Sequence, residues 1–312
     1  MNRINQKLAA AGCERISWAE IDPAYISDLI NLARKEDLLG AGFRRKPKRR
    51  GDVTTRSLID PTVRGRAKLT ARETMTVCGL PLVPLILESY GAIGGFKPYC
   101  RDGDPISRGK TMGTFELSAA SLLTAERVIL NFLQRLSGIA TQTSRFVRTL
   151  GKSKTRILDT RKTTPGFRAL EKYAVACGGA WNHRLGLNDR VLIKDNHLAA
   201  SDSDSGRALH NAVLAAKKQN PELLIEVEID RLDQIPPVIE AHPDIILLDN
   251  FRPAAIRKAI SLIDGRAATE ASGGVTLKIL PELARLGLDF ISCGALVHQS
   301  LWVDIGLDWS TK

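Results

Sequence analysis

Positively charged side chains are concentrated in one stretch of the chain, from Leu158 to His197. Its basic residues are Arg161, Lys162, Arg168, Lys172, Arg184, Arg190 and Lys194, together with His183 and His197. Two short apolar segments, 156–158 and 191–193, come just before Arg161 and Lys194, and we predict that both are buried strands. Cations at the ends of buried strands are costly to desolvate unless they meet an opposite charge. The stretch therefore predicts a site for a strongly anionic small molecule.

Two carboxylates extend this site. Glu228 and Asp249 end neighbouring predicted strands, so both should point towards the same edge of a sheet. Carboxylates there suit a Mg²⁺ site, hydrogen bonds to sugar hydroxyls, or acid–base catalysis. The structural alternative is that they neutralise Lys194 and Lys162 as ion pairs.

Two glycine-rich turns, 271–274 and 292–295, follow the last two predicted strands. Glycine lets backbone N–H groups approach a phosphate, and a following helix adds the positive end of its dipole. Tight strand-to-helix turns that bind nothing are the alternative. Because the two turns occur in successive units, they favour a phosphate site.

The composition is that of a globular protein of 312 residues with a net charge of +11. Six of the positive charges lie in the segment 43–50, which contains no acidic residue. No aromatic residues alternate with these charges, as a base-stacking surface would need. The segment is interpreted as a solvated insertion, with contact to RNA or an acidic partner as the alternative.

The five cysteines are dispersed and form no CxxC pair. This pattern predicts reduced thiols and argues against a disulfide scaffold or a zinc site. No apolar run approaches the length of a membrane span or forms a signal-peptide core. We expect a soluble protein in the cytoplasm, with no membrane partner.

The first part of the chain predicts a small sheet with helices. Residues 1–40 have a helical pattern with an apolar stripe at Ile26, Leu29, Ile30 and Ala33. The turn 51–55 is predicted to lead into a strand. Residues 64–80 and 106–117 alternate in the manner of antiparallel strands, and helical spacing begins at Ser118.

The remainder of the chain predicts a barrel. Strand candidates occur at 156–158, 191–193, 224–229, 245–248, 267–271 and 290–292, with helical stretches such as 254–263 and 277–286 between the later ones. The polar strand ends 228, 249, 272 and 294 recur at the spacing of successive βα units. Apolar strands alternating with helices require a parallel sheet, and polar residues at one end of every strand indicate a barrel mouth. A doubly wound open sheet is the alternative, but no dinucleotide-binding turn follows the first strand.

Several motifs resemble the quinolinate phosphoribosyltransferase family. They are GDVTT at 51–55, ERVILNFLQRLSGIAT at 126–141, the long run at 159–197, EVEI at 226–229, LLDN at 247–250, EASGG at 270–274 and ISCGAL at 291–296. The match follows the family's order over most of the chain. It implies an α/β fold with an N-terminal α/β sandwich domain at 1–125 and an incomplete (β/α) barrel at 126–296, with 297–312 able to return to the first domain.

The resemblance also implies a homodimer and a Mg²⁺-dependent reaction. Quinolinate and phosphoribosyl pyrophosphate would give nicotinate mononucleotide, pyrophosphate and CO₂. By the same resemblance, Lys162, Glu228 and Asp249 are the expected catalytic residues, and Glu228 and Asp249 also the metal ligands. The expected substrate-binding residues are Arg127 (from the partner subunit), Thr160, Arg161, His183, Arg184, Lys194, Ser272, Gly273, Gly274, Cys293, Gly294, Ala295 and His298.

The sequence departs from the family in two places. The insertion around residues 41–50 separates Glu36–Asp37 from Gly51–Asp52, and Ala180–Trp181 stand where the family more often begins with glycine. Neither change removes a proposed ligand-binding charge.

Three other functions remain open at this point. One is the same fold acting on another heteroaromatic acid, as in the relative linked to molybdenum-transport operons. Another is a Schiff-base lyase using Lys194, which needs that lysine deprotonated in an apolar pocket. The third is a nucleic-acid binder built on residues 44–50.

Overall fold

The computed structural model describes residues 14–92, 94–194, 197 and 206–309. Its described residues form two compact units, one within 16–142 and 300–309, the other within 14–15 and 143–299. The division falls between Gln142 and Thr143, whereas the predicted domain boundary lies between residues 125 and 126. That boundary stays a prediction.

The secondary structure follows the order expected for a small sheet and a barrel. The helices are α1 Pro23–Leu39, α2 Val53–Leu58, α3 Leu82–Ser89, α4 Ala119–Leu150, α5 Arg168–Cys177, α6 Gly206–Gln219, α7 Ile235–Glu240, α8 Pro253–Ile263, α9 Leu280–Leu283 and α10 Ala295–His298, with 3₁₀ turns at Trp18–Glu20 and Leu232–Gln234. The strands are β1 Arg64–Ala71, β2 Met75–Thr76, β3 Phe96–Pro98, β4 Pro105–Ile106, β5 Thr111–Ser118, β6 Arg156–Leu158, β7 Val191–Ile193, β8 Ile225–Ile229, β9 Ile245–Asp249, β10 Ala268–Ser272, β11 Phe290–Ser292 and β12 Ile305–Trp309.

An antiparallel sheet organises the first unit. Its strand order is β12-β1-β5-β3, and Lys68 of β1 lies opposite Asp308 on one side and Thr114 on the other. Exposed and buried residues alternate along the first half of β1, because one face of the strand is exposed to solvent and the other packs on the core. Strands β2 and β4 form a separate pair.

The strand predicted to follow Gly51–Thr55 is wrong, because Val53 begins helix α2. The reason is a capping residue: Asp52 has an extended backbone and its carboxylate accepts hydrogen bonds from the Thr55 backbone N–H at 2.9 Å and from the Thr55 hydroxyl at 2.5 Å. An aspartate in this position satisfies the otherwise unpaired N–H groups of a helix start. The motif is therefore a helix cap.

Helix α4 lies where helical spacing was predicted to begin, and it continues through Ser137–Gly138 as far as Leu150. Gly138 occurs inside the helix because a Cβ there would collide with the backbone carbonyl of Leu301. Glycine is used here for close approach of two backbone segments and not as a helix stop.

A six-stranded parallel sheet forms the second unit, with strand order β6-β11-β10-β9-β8-β7. Pairing of β11 with β6 joins the last strand of the barrel segment to the first. The chain at Trp181 adds a single parallel bridge to the other side of Leu158. In the described part of the chain no pairing joins this bridge to β7, so the barrel is incomplete, as predicted.

Side chains that point inwards from every second strand position fill the barrel interior in layers. At the base lies one apolar cluster of Leu158, Leu224, Ile245, Ala268 and Phe290, with Trp181 packed against it. Two residues further along three of these strands come Glu226, Leu247 and Glu270, and two further still come Glu228, Asp249 and Ser272. Because side chains in a strand alternate between faces, the three sets face the same interior. The polar residues of the third layer therefore form the floor of the barrel mouth.

Among the described residues, no helix is both long enough and apolar enough to cross a membrane.

Replacement of Gly138 by alanine is expected to destabilise the protein by about 1–3 kcal/mol, the usual cost of overpacking. The added methyl group must push helix α4 away from the Leu301 carbonyl. Urea unfolding of Gly138→Ala measures this loss, with Arg145→Ala, an exposed change on the same helix, as the control. Equal stability of the two variants would contradict the close approach.

Candidate active site

The barrel mouth opens into a cavity of about 740 Å³. Every barrel residue assigned to the site from the sequence lines it: Thr160, Arg161, Lys162, His183, Arg184, Lys194, Glu228, Asp249, Ser272, Gly273, Gly274, Cys293, Gly294, Ala295 and His298. Leu192, Leu247, Asn250 and Val275 also contribute to its wall. The convergence expected from the strand ends is therefore present.

Arginines crowd one side of the cavity. Arg184 donates to the Arg190 carbonyl at 3.2 Å, and burial together with the nearby Arg161 lowers the pKa of the Arg184 guanidinium. The Nε of Arg161 is buried without a hydrogen-bond partner in the described part of the chain. An unsatisfied buried donor beside a second cation is unfavourable. An anion with several oxygen acceptors removes both problems.

The carboxylates of the mouth have partners but remain on its surface. Lys194 forms an ion pair with Glu228, and its side chain is 38% exposed. Asp249 accepts hydrogen bonds from the Ser272 hydroxyl at 2.5 Å and from the Asn250 amide at 2.8 Å. The structural alternative is thus correct for the Glu228–Lys194 pair. A half-buried lysine that is paired with a carboxylate is not in the apolar pocket that the Schiff-base alternative requires.

The glycines of the mouth occupy positions that exclude side chains. Gly273 has φ +87°, and a Cβ on it would collide with the Asn250 side chain. A Cβ on Gly294 would lie 2.9 Å from Cδ of Lys162 and 3.0 Å from Nε2 of His298. Both turns therefore bring backbone to the cavity wall, where N–H groups can approach a phosphate.

Two residues from the sequence argument lie elsewhere. Arg127 is exposed on helix α4, and its role across a dimer interface stays a prediction. His197 is exposed, and its Nδ1 accepts a hydrogen bond from the Lys194 backbone N–H at 2.9 Å. His197 therefore positions the end of strand β7 and is not one of the residues lining the cavity.

A buried charged cluster lies one layer below the mouth, and sequence reasoning missed it. Nε2 of His183 is 3.3 Å from Glu226 and 3.5 Å from Glu270, and Glu226 also pairs with Arg190 at 3.2 Å. The alternation in Ile225–Ile229 was the available signal, since Glu226 and Glu228 must share a face. Only Glu228, at the strand end, was assigned to the site.

These carboxylates control the charge of His183. Burial lowers the pKa of His183, but Glu226 and Glu270 outweigh it and raise the pKa to about 9. The Arg184 backbone N–H, which donates to Nδ1 at 2.8 Å, favours the neutral ring instead. We assign the imidazolium, because it balances Glu270 while Arg190 balances Glu226, and a net buried charge is costly. In that form Nδ1 carries a proton and no longer accepts a hydrogen bond from the Arg184 N–H.

The backbone of His183 is fixed by a second buried ion pair. Lys172 lies 2.6 Å from Asp159, and both side chains are almost completely buried. Asp159 also accepts from the His183 backbone N–H at 2.8 Å, and Lys172 donates to the His183 carbonyl at 2.9 Å. Lys172, counted above among the binding-site cations, is therefore structural.

The departure from the family at Ala180–Trp181 is accommodated without disturbing the mouth. Ala180 is fully buried, and the guanidinium groups of Arg15 and Arg156 lie over the Trp181 ring, at 4.6 and 4.4 Å from its centroid. These contacts are cation–π interactions at the base of the barrel.

The fold and the site together define a barrel enzyme with a mouth built for an anionic, phosphorylated substrate. The chain belongs to the quinolinate phosphoribosyl transferase family. Residues 52–137 match the family's N-terminal domain and residues 139–308 its C-terminal domain.

Named relatives agree with this membership. The chain is 39% identical over 299 residues to the nicotinate-nucleotide pyrophosphorylase [carboxylating] of Mycobacterium leprae, covering 94% of this chain and 99% of that protein. It is 45% identical over 208 residues to the probable enzyme of that name in Bacillus subtilis, covering 67% and 71%. The solved nicotinate-nucleotide pyrophosphorylase from Francisella tularensis aligns with a TM-score of 0.83 at 33% identity, covering 93% of this chain and 98% of that one.

Glu226→Gln or Glu270→Gln is expected to lower the pKa of His183 from about 9 towards its ordinary value, because each removes a carboxylate beside Nε2. NMR titration of the five histidines measures this change, with the exposed Glu222→Gln as the control.

Since the folded-state pKa is raised, protonated His183 stabilises the fold fully below about pH 6.5 and loses this effect as pH rises through about 9. Wild-type protein should therefore lose more stability over that range than either variant. Titration of wild-type His183 at or below pH 6.5 would contradict the imidazolium.

Proposed function

We propose that this chain transfers the phosphoribosyl group of phosphoribosyl pyrophosphate to quinolinate, with loss of CO₂, to form nicotinate mononucleotide in NAD biosynthesis. Family membership supports the reaction. The observation that carries its assignment to the barrel mouth is the convergence of Arg161, Arg184 and Lys194 with the Gly273–Gly274 turn in one cavity.

The arginine side of the cavity suits quinolinate. Quinolinate is a planar dicarboxylate, and guanidinium groups bind carboxylates through two parallel hydrogen bonds. The Nε of Arg161, which has no hydrogen-bond partner among the described residues, is one such donor. Arg184, Lys194 and the His183 imidazolium add positive charge around the same space. Arg127 of the partner subunit is the further cation that we expect in a homodimer.

The glycine side suits the phosphorylated sugar. The backbone of Ser272–Gly274 and of Cys293–Ala295 would hold the 5-phosphate, with His298 beside it, and Lys162 would contact the ribose and pyrophosphate. Glu228 and Asp249 would accept hydrogen bonds from the ribose hydroxyls. The two substrates are then held with the ring nitrogen facing C1 of the ribose.

The residues of the mouth also fit Mg²⁺. This ion prefers oxygen ligands and usually binds through one or two carboxylates together with substrate phosphates and water. Glu228 and Asp249 supply two carboxylates on one cavity wall, and neither is fully buried. When bound, Mg²⁺ would offset the charge on the departing pyrophosphate.

Catalysis by the chain's own residues is mainly orientation and electrostatics. The ring nitrogen forms a bond to C1 as the bond from C1 to pyrophosphate breaks, and the mouth carboxylates stabilise the positive sugar centre. The bond between the ring carbon next to the nitrogen and its carboxyl group then breaks and CO₂ leaves. The positive charge of the quaternised nitrogen stabilises the electron pair left on that carbon, and the carbon then takes up a proton. We expect the enzyme to work in the cytoplasm.

The direct test is quinolinate-dependent release of pyrophosphate in the presence of phosphoribosyl pyrophosphate and Mg²⁺. Nicotinate in place of quinolinate is the comparison, because it lacks the second carboxylate. Release with nicotinate but not with quinolinate would overturn the substrate assignment.

Arg161→Ala and Lys194→Ala are each expected to lower kcat/KM for quinolinate by roughly 10²-fold or more, as found when a charged donor is removed from a preorganised site. Both variants should keep the circular dichroism spectrum of the wild type. Lys258→Ala, which removes an exposed lysine from helix α8, is the control. Normal turnover in both site variants would contradict the assigned pocket.

Deletion of residues 43–50 is expected to change turnover by less than about twofold, because the segment is exposed and none of it lines the barrel cavity. Steady-state kinetics of the shortened chain test this expectation. A large loss of kcat would show that the insertion belongs to the active site.

A further inference from the structure

A second cavity, of about 300 Å³, lies in the unit that contains the antiparallel sheet. Residues of helices α1, α2 and α4 line it, together with Tyr90 just after α3. The basic segment 43–50 ends at its edge, where Arg56 donates to the Arg50 carbonyl at 2.9 Å. None of these residues has a role in the reaction proposed above.

Two of the side chains that line this cavity carry an unsatisfied hydrogen-bond donor. The Nε of Arg34 and the hydroxyl of Tyr90 are buried, and neither has a hydrogen-bond partner in the described ranges of the chain. The guanidinium of Arg34 also lies 5.9 Å from the centre of the Tyr90 ring, so the two donors are neighbours. Buried donors in native structures nearly always have a partner, and each exception calls for a ligand, a water molecule or an ion.

The carboxylate that lines this cavity, that of Asp52, already accepts hydrogen bonds within the protein. Asp52 accepts hydrogen bonds from the backbone and hydroxyl of Thr55, and from the Thr124 hydroxyl at 3.3 Å. Its charge therefore caps helix α2 and does not pair with an arginine. Among the described residues, neither Arg34 nor Arg56 forms an ion pair with a carboxylate. The two arginines carry two positive charges and the aspartate one negative charge, so the residues lining the cavity have a net positive charge.

The tyrosine is suited to donate. Burial and the nearby carboxylate of Asp37, opposed by Arg34, raise the pKa of Tyr90 to about 12. The hydroxyl thus keeps its proton at neutral pH and offers an O–H to an acceptor. An exposed carboxylate such as Asp37 disfavours anions in its immediate surroundings, but the six cations of the basic segment outnumber it.

We propose that this cavity binds a small phosphate-bearing anion, whose oxygens accept hydrogen bonds from Arg34 Nε, the Tyr90 hydroxyl and the Arg56 guanidinium. Guanidinium groups match phosphate geometry, and charge-assisted bonds of this kind are the strong ones. The volume lies at the lower end of the range for small-molecule sites. The basic segment would raise the local concentration of such anions and increase the rate of their binding.

The test is calorimetric titration of the full-length protein with inorganic phosphate. The barrel mouth should also bind phosphate, so the wild type should show two sites. Tyr90→Phe is expected to weaken one of them roughly fivefold or more, and Arg34→Gln roughly tenfold or more, since bonds to a charged acceptor contribute more than neutral ones. The controls are Tyr99→Phe and Arg66→Gln, which alter an exposed tyrosine and an exposed arginine outside the cavity. Arg161→Ala should weaken the other site alone.

A measurement without phosphate separates binding from folding. Because the Tyr90 hydroxyl has no partner among the described residues, Tyr90→Phe should leave Tm unchanged or raise it by roughly 2 °C. Tyr99→Phe removes a hydrogen bond to Thr114 and should not raise Tm. A lower Tm for Tyr90→Phe in phosphate-free buffer would show an internal partner and overturn the proposal. So would a single phosphate site that only Arg161→Ala affects, or equal weakening by Tyr90→Phe and Tyr99→Phe.

Discussion

The barrel depends on one geometric constraint: side chains two residues apart on a parallel strand must share the interior. The base is apolar, so the sheet can close around Ile245, Ala268 and Phe290. The next layer is charged but fully buried, and the top layer is charged and open to solvent. The same strands thus supply stability at one end and chemistry at the other, as is usual for this architecture.

The layer that contains Glu226 and Glu270 explains how several arginines, lysines and a histidine can lie close together in and below the barrel mouth. Glu226 and Glu270 lie one layer below the mouth, and their negative charge is balanced by Arg190 and His183. Although burial opposes it, His183 and Arg190 hold the pKa of Glu226 down at about 2. A buried ion cluster contributes little net stability. Its value here is positional, because it fixes the ring that stands next to Arg184.

Much of this arrangement could be predicted from the sequence, and the reasons are specific. The six barrel strands were found because each is a short apolar run that ends in polar residues, and all the barrel residues of the proposed site line one cavity. Helix α2 was missed because the turn before it was interpreted without considering Asp52 as a cap. Glu226 and Glu270 were missed because each lies inside an apolar strand, and the neighbouring residues in the sequence do not show which side chains pair with them. Those partners, His183 and Arg190, come from another part of the chain.

The strand order of the antiparallel sheet has a consequence for biosynthesis. Strand β12, at 305–309, covers one edge of β1, at 64–71, and the whole barrel segment is translated between them. Until β12 leaves the ribosome, β1 presents unpaired N–H and C=O groups, the kind of edge that recruits other chains. Late synthesis of the covering strand therefore leaves the nascent polypeptide with an exposed strand edge until translation is nearly finished, although its barrel strands lie close to one another in sequence and can assemble early.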